Sequence, residues 1–181
     1  MKAVIRTSDL KRLVRATKHF ISKDYNRPLL NFIRLDFDFE DKTVNAVALD
    51  GFKLSIEASD LKAIDESFSA YIRPYLPVGI KNDVVTIEII GNKCYIDSGD
   101  SSVGYEQPNG KKFNAKSVLE DLHTKPITCE MFVKGDHLVD ALKSIQPDAG
   151  LSSVRIEYRA DNEAILLKTD KSTRLVKTVR R

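Results

Sequence analysis

Apolar residues recur at helical spacing close to the start of the chain. At about 100° per residue they share one face of a helix, and they are Leu10, Leu13, Val14, Thr17, Phe20 and Ile21. Ser8 is a residue type that caps helix N-termini, and Asp9 follows in the first turn, where the helix dipole favours an anion. We therefore predict a strand over residues 2–7 and an amphipathic helix over residues 8–23.

Alternation of apolar and polar residues predicts three strands after this helix, over 29–39, 43–49 and 52–58. The apolar face of the first strand holds Leu29, Ile33, Leu35, Phe37 and Phe39. The third strand has the cleanest alternation in the chain, with Phe52, Leu54, Ile56 and Ala58 on one face. The dipeptide Asp50-Gly51 before it is a strong hairpin signal.

The middle of the chain is rich in strands. Alternation predicts them over 70–73, 84–90, 93–97 and 102–106. Pro74 and Pro77 lie between the first two of these strands and argue against a long helix there. Residues 107–110, Gln-Pro-Asn-Gly, are the best candidate for a linker.

The order of strand, helix and three strands then returns. Alternation predicts a strand over 127–133, and Asp136 can cap a helix over 136–145. The apolar face of this helix holds Leu138, Val139, Ala141, Leu142 and Ile145. Three strands, over 153–159, 163–168 and 172–179, complete the second copy. Two copies of one unit, each with an amphipathic helix on an antiparallel sheet, predict an α+β fold.

Composition narrows the class of protein. Hydrophobic residues make up 42% and charged residues 30% of the 181 residues, which is ordinary for a globular protein. No apolar run approaches the roughly 18 residues that span a bilayer, and the first residues lack the apolar core of a signal peptide. Cys94 and Cys129 lie far apart and predict buried thiols rather than a disulfide framework. We expect a cytoplasmic protein.

Positive charge is concentrated at the two ends of the chain. Residues 1–27 carry eight lysines and arginines against two aspartates, a net charge of +6, and residues 168–181 carry +5. The whole chain carries +3, so residues 28–167 carry −8. Such a distribution can present one positive face to a polyanion, although clustered, solvated charges are the simpler alternative.

Signals for catalysis are weak. Three histidines and two distant cysteines offer no pair with zinc-ligand spacing, and no Ser/His/Asp set can be nominated. Asp36, Asp38 and Glu40 point the same way along a strand and could bind a hard cation, as in a nuclease. Strand alternation already explains these carboxylates as a solvated face. We therefore predict no enzyme, no metal and no cofactor.

Several segments resemble one known family. Residues 48–54, Ala-Leu-Asp-Gly-Phe-Lys-Leu, are similar to the Thr-Asp-Gly-x-Arg-Leu hairpin of the bacterial DNA sliding clamp, the β subunit of DNA polymerase III. Residues 110–114, Gly-Lys-Lys-Phe-Asn, resemble the Gly-Arg-Phe-Pro-Asp linker between its second and third domains. Residues 2–39 are similar to the start of a clamp domain, and 127–179 to its last half-domain. The chain thus resembles a shortened and divergent sliding clamp.

The resemblance implies a protein that contacts duplex DNA without reading its sequence and that docks replication or repair partners. The implied DNA-binding residues, opposite the apolar face of the first helix, are Lys11, Arg12, Arg15 and Lys18. The implied partner pocket contains Gly51, Phe52, Lys53, Leu54, Val176 and Val179. The resemblance further implies a homo-oligomer joined through edge strands. A clamp-derived adaptor that docks proteins without binding DNA is the alternative.

Two points stay open at this level. The first is how the chain divides into domains. In one interpretation, residues 1–118 form one clamp-like domain without its second helix, followed by a half-domain over 119–181. Alternatively, residues 1–62 and 119–181 pair as one domain around an inserted, β-rich 63–118. Phe52 is either an exposed anchor for a partner or the first core residue of the stripe that continues through Leu54 and Ile56.

Overall fold

The computed structural model describes residues 1–76, 80–110, 112–115, 117, 120, 123–126, 131–144, 154–159, 164–169 and 172–178. Two α-helices with defined bounds lie in this part of the chain, α1 (Thr7–Thr17) and α2 (Gly135–Ser144). The strands are β1 (Lys2–Arg6), β2 (Ile33–Asp38), β3 (Thr43–Leu49), β4 (Leu54–Asp60), β5 (Ala63–Ile64), β6 (Phe68–Ile72), β7 (Val84–Ile90), β8 (Lys93–Asp97), β9 (Ser102–Glu106), β10 (Arg155–Arg159), β11 (Ala164–Lys168) and β12 (Thr173–Lys177). Neighbouring strands pair antiparallel throughout these residues, which confirms the predicted α+β class.

The chain divides into two compact units, Met1–Leu122 and His123–Arg181. The first unit contains two sheets, with strand orders β4-β3-β2-β6 and β5-β1-β7-β8-β9. In the second of these sheets Ala3 of β1 lies opposite Ile87 of β7. The N-terminal strand is therefore part of the same sheet as the strands of the middle segment.

One hydrophobic core is shared by both sheets and by α1. Its fully buried side chains include Ile5, Leu10, Leu13, Ile33, Leu35, Val44, Ile72, Val85, Ile87 and Ile96. Phe37 and Phe68 stack at the end of the four-stranded sheet, with ring centroids 4.4 Å apart. Cys94 belongs to this core, and its burial raises the pKa of the thiol to about 12, which leaves it un-ionised and unreactive. Cys129 lies outside the described residues.

The first helix is shorter than predicted and begins one residue earlier. Ser8 does not cap it: the helix begins at Thr7, whose N–H donates to the Asp83 carbonyl at 2.8 Å and whose hydroxyl donates to the Asn82 carbonyl at 2.5 Å. A neighbouring loop thus supplies the acceptors that a capping side chain would provide. At the other end the buried Thr17 hydroxyl donates back to the Leu13 carbonyl, and the chain tightens into a 3-10 turn over Lys18–Phe20.

Most predicted strands are present, but several bounds in the first unit differ: β4 covers Leu54–Asp60 rather than 52–58, and Phe39 lies beyond the end of β2 and is exposed. Residues 84–90, 93–97 and 102–106 form β7, β8 and β9 within the predicted bounds. The strand predicted over 70–73 instead covers Phe68–Ile72, because Phe68 packs on Phe37. Leu29 is not on a strand face but in a 3-10 turn, Pro28–Asn31. The two-residue β5 is too short to show alternation. Described residues 73–76 and 80–83, between β6 and β7, are not helical.

The second unit is a three-stranded sheet, β10-β11-β12, with α2 packed on it. Its buried apolar residues are Ile165, Leu167 and Val176. Leu138 and Ala141 of α2 contact this core, whereas Val139 and Leu142 of the predicted apolar face are exposed. Ile145, like residues 127–130 of the predicted preceding strand, lies outside the described residues, while Val133 forms a bridge with Thr178. In the described part of the chain no helix is long and apolar enough to cross a membrane.

Candidate functional site

The four cations predicted to meet DNA lie on the exposed face of α1 and in the turn that follows it. The opposite face of α1 is buried in the core through Leu10, Leu13 and Val14. The helix is therefore oriented as its amphipathic pattern predicts. The cations are Lys11, Arg12, Arg15 and Lys18, and all four are exposed. The structure therefore places a compact positive surface on one side of the first unit.

These cations differ in how they are engaged by the protein itself. Arg12 pairs with Glu57 of β4 at 3.2 Å and donates to the Ala58 carbonyl at 2.7 Å. Lys11 donates to the Ile80 carbonyl at 3.2 Å. Within the described residues, Arg15 and Lys18 have no ion-pair partner. Arg12 thus fixes α1 on β4 and has the least freedom to reach a ligand, whereas Arg15 and Lys18 have the most.

The turn between β3 and β4 is built by one aspartate. The Asp50 carboxylate oxygen Oδ1 accepts the backbone N–H of Phe52 at 2.9 Å and of Lys53 at 3.0 Å, and Asp50 N–H donates to the Lys53 carbonyl at 3.2 Å. The N–H of Phe52 is the main cause that lowers the pKa of Asp50, and the N–H and ammonium of Lys53 add to it. Gly51 has φ +99°, in the left-handed region that glycine adopts without strain.

Phe52 projects from the tip of this turn. It is 99% exposed, so of the two alternatives left open by the sequence, the one that makes it the first core residue of the β4 stripe is wrong. The stripe fails because the Asp50 hydrogen bonds hold residues 50–53 in a turn, and β4 begins only at Leu54. The open alternative, an aromatic side chain available to a partner, is the one that the local geometry allows.

An apolar cavity of about 220 Å³ lies beside Phe52. It is lined by Leu49, Gly51, Phe52, Lys53, Leu54 and Phe113. Phe113 comes from the segment after β9, and the Arg34 guanidinium of β2 holds it in place by donating to its backbone carbonyl. The first four residues implied for partner binding therefore share one cavity. Phe113 is an additional wall that strand and helix patterns cannot reveal, because an irregular segment carries it.

The remaining predicted partner residues lie in the second unit. Val176 is buried in the core of that unit with Ile165 and Leu167, so its side chain is not on the accessible surface. Its burial follows from β12 alternation, which directs Val176 toward α2. Val179 lies outside the described residues.

The acidic side chains of β2 are used within the protein. Asp36 pairs with Arg34 at 2.8 Å and accepts the Ser69 hydroxyl at 2.7 Å. Asp38 accepts the backbone N–H groups of Glu40 and Asp41 in the turn before β3. These contacts fit the solvated-face interpretation of Asp36, Asp38 and Glu40. Among the described residues, no three His, Cys, Asp or Glu side chains are grouped so as to hold a metal ion.

A second, larger cleft also borders the Phe52 turn. It measures about 660 Å³ and is lined by Lys18, His19, Ile21, Ser22, Lys23, Asp24, Arg27, Asp50, Phe52 and Lys53. Of these residues, Lys18, Phe52 and Lys53 are site residues predicted from the sequence, whereas Lys23, predicted at the end of the helix, and Arg27, predicted after the helix, are not. The run Asp24-Tyr25-Asn26-Arg27-Pro28 is rich in turn-forming residues and was the available signal for a loop.

The fold is that of the bacterial DNA sliding clamps. The chain aligns with the Bacillus subtilis DNA polymerase sliding clamp at a TM-score of 0.77 and 17% identity, over 98% of this chain and 49% of that one. The Thermotoga maritima DNA polymerase III β subunit aligns at 0.74 and 16% identity, over 100% and 51%. A Pseudomonas aeruginosa clamp bound to griselimycin aligns at 0.76 and 17% identity, over 99% and 51%.

The chain spans about half the length of the clamps that it matches. At these identities the likeness establishes the fold, which confirms the resemblance inferred from the hairpin and linker segments. No protein-family model and no curated protein sequence matches the chain.

The Asp50 turn makes a testable prediction about pH. Because the folded-state pKa of Asp50 is lowered, its hydrogen bonds to Phe52 and Lys53 are complete at neutral pH and are lost as pH falls through that lowered value. In an NMR titration, the amide shifts of both residues should move together, with a midpoint below the ordinary aspartate value of about 3.9. Asp50→Asn keeps an acceptor and should abolish the titration; a midpoint at or above the ordinary value would contradict this account.

Proposed function

We propose that this chain is a non-catalytic, clamp-like protein that contacts duplex DNA without sequence specificity and docks replication or repair partners beside Phe52. The observation that carries the proposal is the exposed basic face of α1 in a chain with the sliding-clamp fold. Bacterial DNA lies in the cytoplasm, and we propose the same location for a protein that contacts it.

The physical case for DNA rests on how α1 presents its charge. Lys11, Arg15 and Lys18 follow one another at helical spacing, so their side chains span roughly 10 Å along the helix at about 1.5 Å per residue. Lysine and arginine on such a face attract the regularly spaced phosphates of a duplex, and phosphate contacts carry no sequence information. The tie between Arg12 and Glu57 keeps the helix fixed while Arg15 and Lys18 remain available.

Charge reversal on α1 tests duplex binding. The triple variant Lys11→Glu, Arg15→Glu, Lys18→Glu leaves Arg12 with Glu57 and should abolish binding to a blunt duplex in fluorescence anisotropy. For the unmodified chain, three phosphate contacts predict a slope of roughly −2.7 in a plot of log affinity against log salt concentration. The matched control, Lys42→Glu, Lys62→Glu, Lys93→Glu, makes the same change in net charge at exposed lysines elsewhere. Equal affinities for the two triple variants would remove α1 from the DNA-facing role.

The case for partner docking rests on the cavity beside Phe52. An aromatic side chain at the rim of an apolar cavity can anchor a peptide, because burying both surfaces on binding is favourable. Leu49, Leu54 and Phe113 supply the apolar walls, and Lys53 adds a charge at the rim. Arg34 holds the Phe113 backbone, so this wall is positioned before a partner arrives.

Removal of Phe52 tests this docking site. Griselimycin, which is bound in a Pseudomonas aeruginosa clamp structure, is a suitable probe for calorimetric titration. Phe52→Ala should weaken its binding by about 2 kcal/mol or more. The free energy of unfolding should stay unchanged, because the side chain is exposed. Tyr75→Ala, at another exposed aromatic residue, is the control. If the titration detects no binding of griselimycin to the unmodified chain, the proposed docking site has no support.

Assembly is the third element of the proposal. Among the described strands, β4 of the four-stranded sheet and β9 of the five-stranded sheet each have a strand partner on one side only, whereas the N–H and carbonyl of Tyr71 in β6 already bond the Gln107 side chain. Exposed edges favour pairing with another chain, so we expect a homo-oligomer, most simply a dimer. Sedimentation equilibrium at roughly tens of micromolar should then give twice the 20.4 kDa chain mass. A single species at the chain mass would contradict this part of the proposal.

A further inference from the structure

The larger cleft of the first unit lies between two turns that each project an aromatic side chain. One turn is at residues 22–27 and carries Tyr25, which is 93% exposed and does not itself line the cleft but directly follows Asp24, which does. The other is at residues 50–53 and carries Phe52, which is 99% exposed and lines the cleft. Neither ring contributes to the core, so neither is explained by folding.

The turn at 22–27 is held rigidly by hydrogen bonds. Ser22 is buried, its N–H donates to the Leu30 carbonyl at 2.8 Å, and its hydroxyl accepts the Asp24 N–H at 3.0 Å. The Asp24 carboxylate accepts the Asn26 N–H at 2.9 Å, and Arg27 N–H donates to the Asp24 carbonyl at 3.1 Å. Tyr25 is therefore presented from an ordered backbone, which lowers the entropy cost of using it as a contact surface.

Side chains from each turn reach across to the other elements of the cleft. The Arg27 guanidinium passes so close to Gly51 that a Cβ there would lie 2.9 Å from its Nη1, which adds a reason for glycine at this position. Lys53 Nζ donates to the His19 carbonyl at 2.5 Å and lies 5.5 Å from the centre of the Phe20 ring. Lys53 thus ties the hairpin turn to the segment that follows α1, and the Arg27 side chain lies against the same hairpin turn.

The cleft carries net positive charge. Four cations line it, Lys18, Lys23, Arg27 and Lys53, against two carboxylates, Asp24 and Asp50. Oδ2 of Asp24 lies 3.6 Å from Nε of Arg27, and Oδ2 of Asp50 lies 3.5 Å from Nζ of Lys53. Each carboxylate therefore already has a basic partner. Within the described residues, Lys18 and Lys23 have no carboxylate partner and remain available to an anion.

We propose that this cleft binds a single-stranded segment of nucleic acid, with phosphates at Lys18 and Lys23 and bases stacked on Phe52 and Tyr25. A basic groove bordered by exposed aromatic rings is the arrangement that binds single strands without sequence preference, because every base has a face to stack and every linkage a phosphate. A duplex does not suit the rings, since its bases are already stacked on one another. Lys18 also belongs to the basic face of α1, so the cleft continues the surface proposed to meet duplex DNA.

The inference extends the proposed DNA contact to a second form of nucleic acid and shares Phe52 with the proposed docking site. It is measured by fluorescence anisotropy with a labelled oligothymidylate of about 20 nucleotides, long enough to cover one site. The double variant Tyr25→Ala, Phe52→Ala should bind this probe at least about tenfold more weakly, the loss expected for removing stacked bases. The control, Phe39→Ala with Tyr75→Ala, removes two exposed aromatic rings outside the cleft and should change the affinity less than twofold.

A second pair of variants separates this inference from the proposed duplex contact. Lys11→Glu with Arg15→Glu alters α1 without touching the cleft and should weaken blunt-duplex binding more than oligothymidylate binding. If the unmodified chain ignores the duplex but binds oligothymidylate through the two rings, the inference stands and the duplex proposal fails. If the chain binds the duplex and the loss of both rings leaves oligothymidylate binding unchanged, the inference is overturned and the duplex proposal stands. The inference would also be overturned if heparin bound as tightly as oligothymidylate and if removing the two rings weakened neither, because charge alone would then explain the binding.

Discussion

The pairing of β1 with β7 is the contact on which the first unit depends. It brings Ala3 opposite Ile87, and the entropy cost of closing so long a loop is offset by burying Ile5, Val85 and Ile87 almost completely. Because β1 leads directly into α1, this pairing also sets where the helix begins and which side faces the shared core. The basic side then faces solvent by necessity, so the candidate DNA surface is a consequence of core formation.

The candidate binding surfaces depend on a second constraint, the early end of α1. Had the helix continued to residue 23, Lys23 would lie on the helix and no turn would face the β3–β4 hairpin. The chain instead leaves the helix at Thr17 and forms the hydrogen-bonded turn that presents Tyr25. The Asp50 turn faces it, and Arg27 and Lys53 connect the two sides. Cavity and cleft therefore share Phe52 and Lys53 of the same short hairpin.

The two helices show how one pattern can have different structural outcomes. Both are amphipathic, yet α1 buries Leu10 and Leu13 completely while no residue of α2 is buried. The first unit covers its helix with a core drawn from two sheets, and the described part of the second unit has one sheet of three strands. Burial grows with the number of layers and with the size of a unit, so the smaller unit buries less. In the second unit Ile156 and Leu175 are each 64% exposed.

The sequence by itself determined the class of fold, the strands β7 to β9, the orientation of α1 and the resemblance to sliding clamps, because each follows from local periodicity or a short motif. Only the tertiary structure decided that Phe52 is exposed, because its alternation with Leu54 and Ile56 is compatible with a buried side chain as well as an exposed one. It also decided that Phe113 walls a cavity and that Val176 is buried, since both depend on contacts distant in sequence. Periodicity records which side of an element is apolar, whereas the pairing of distant segments decides what covers that side and where the element ends.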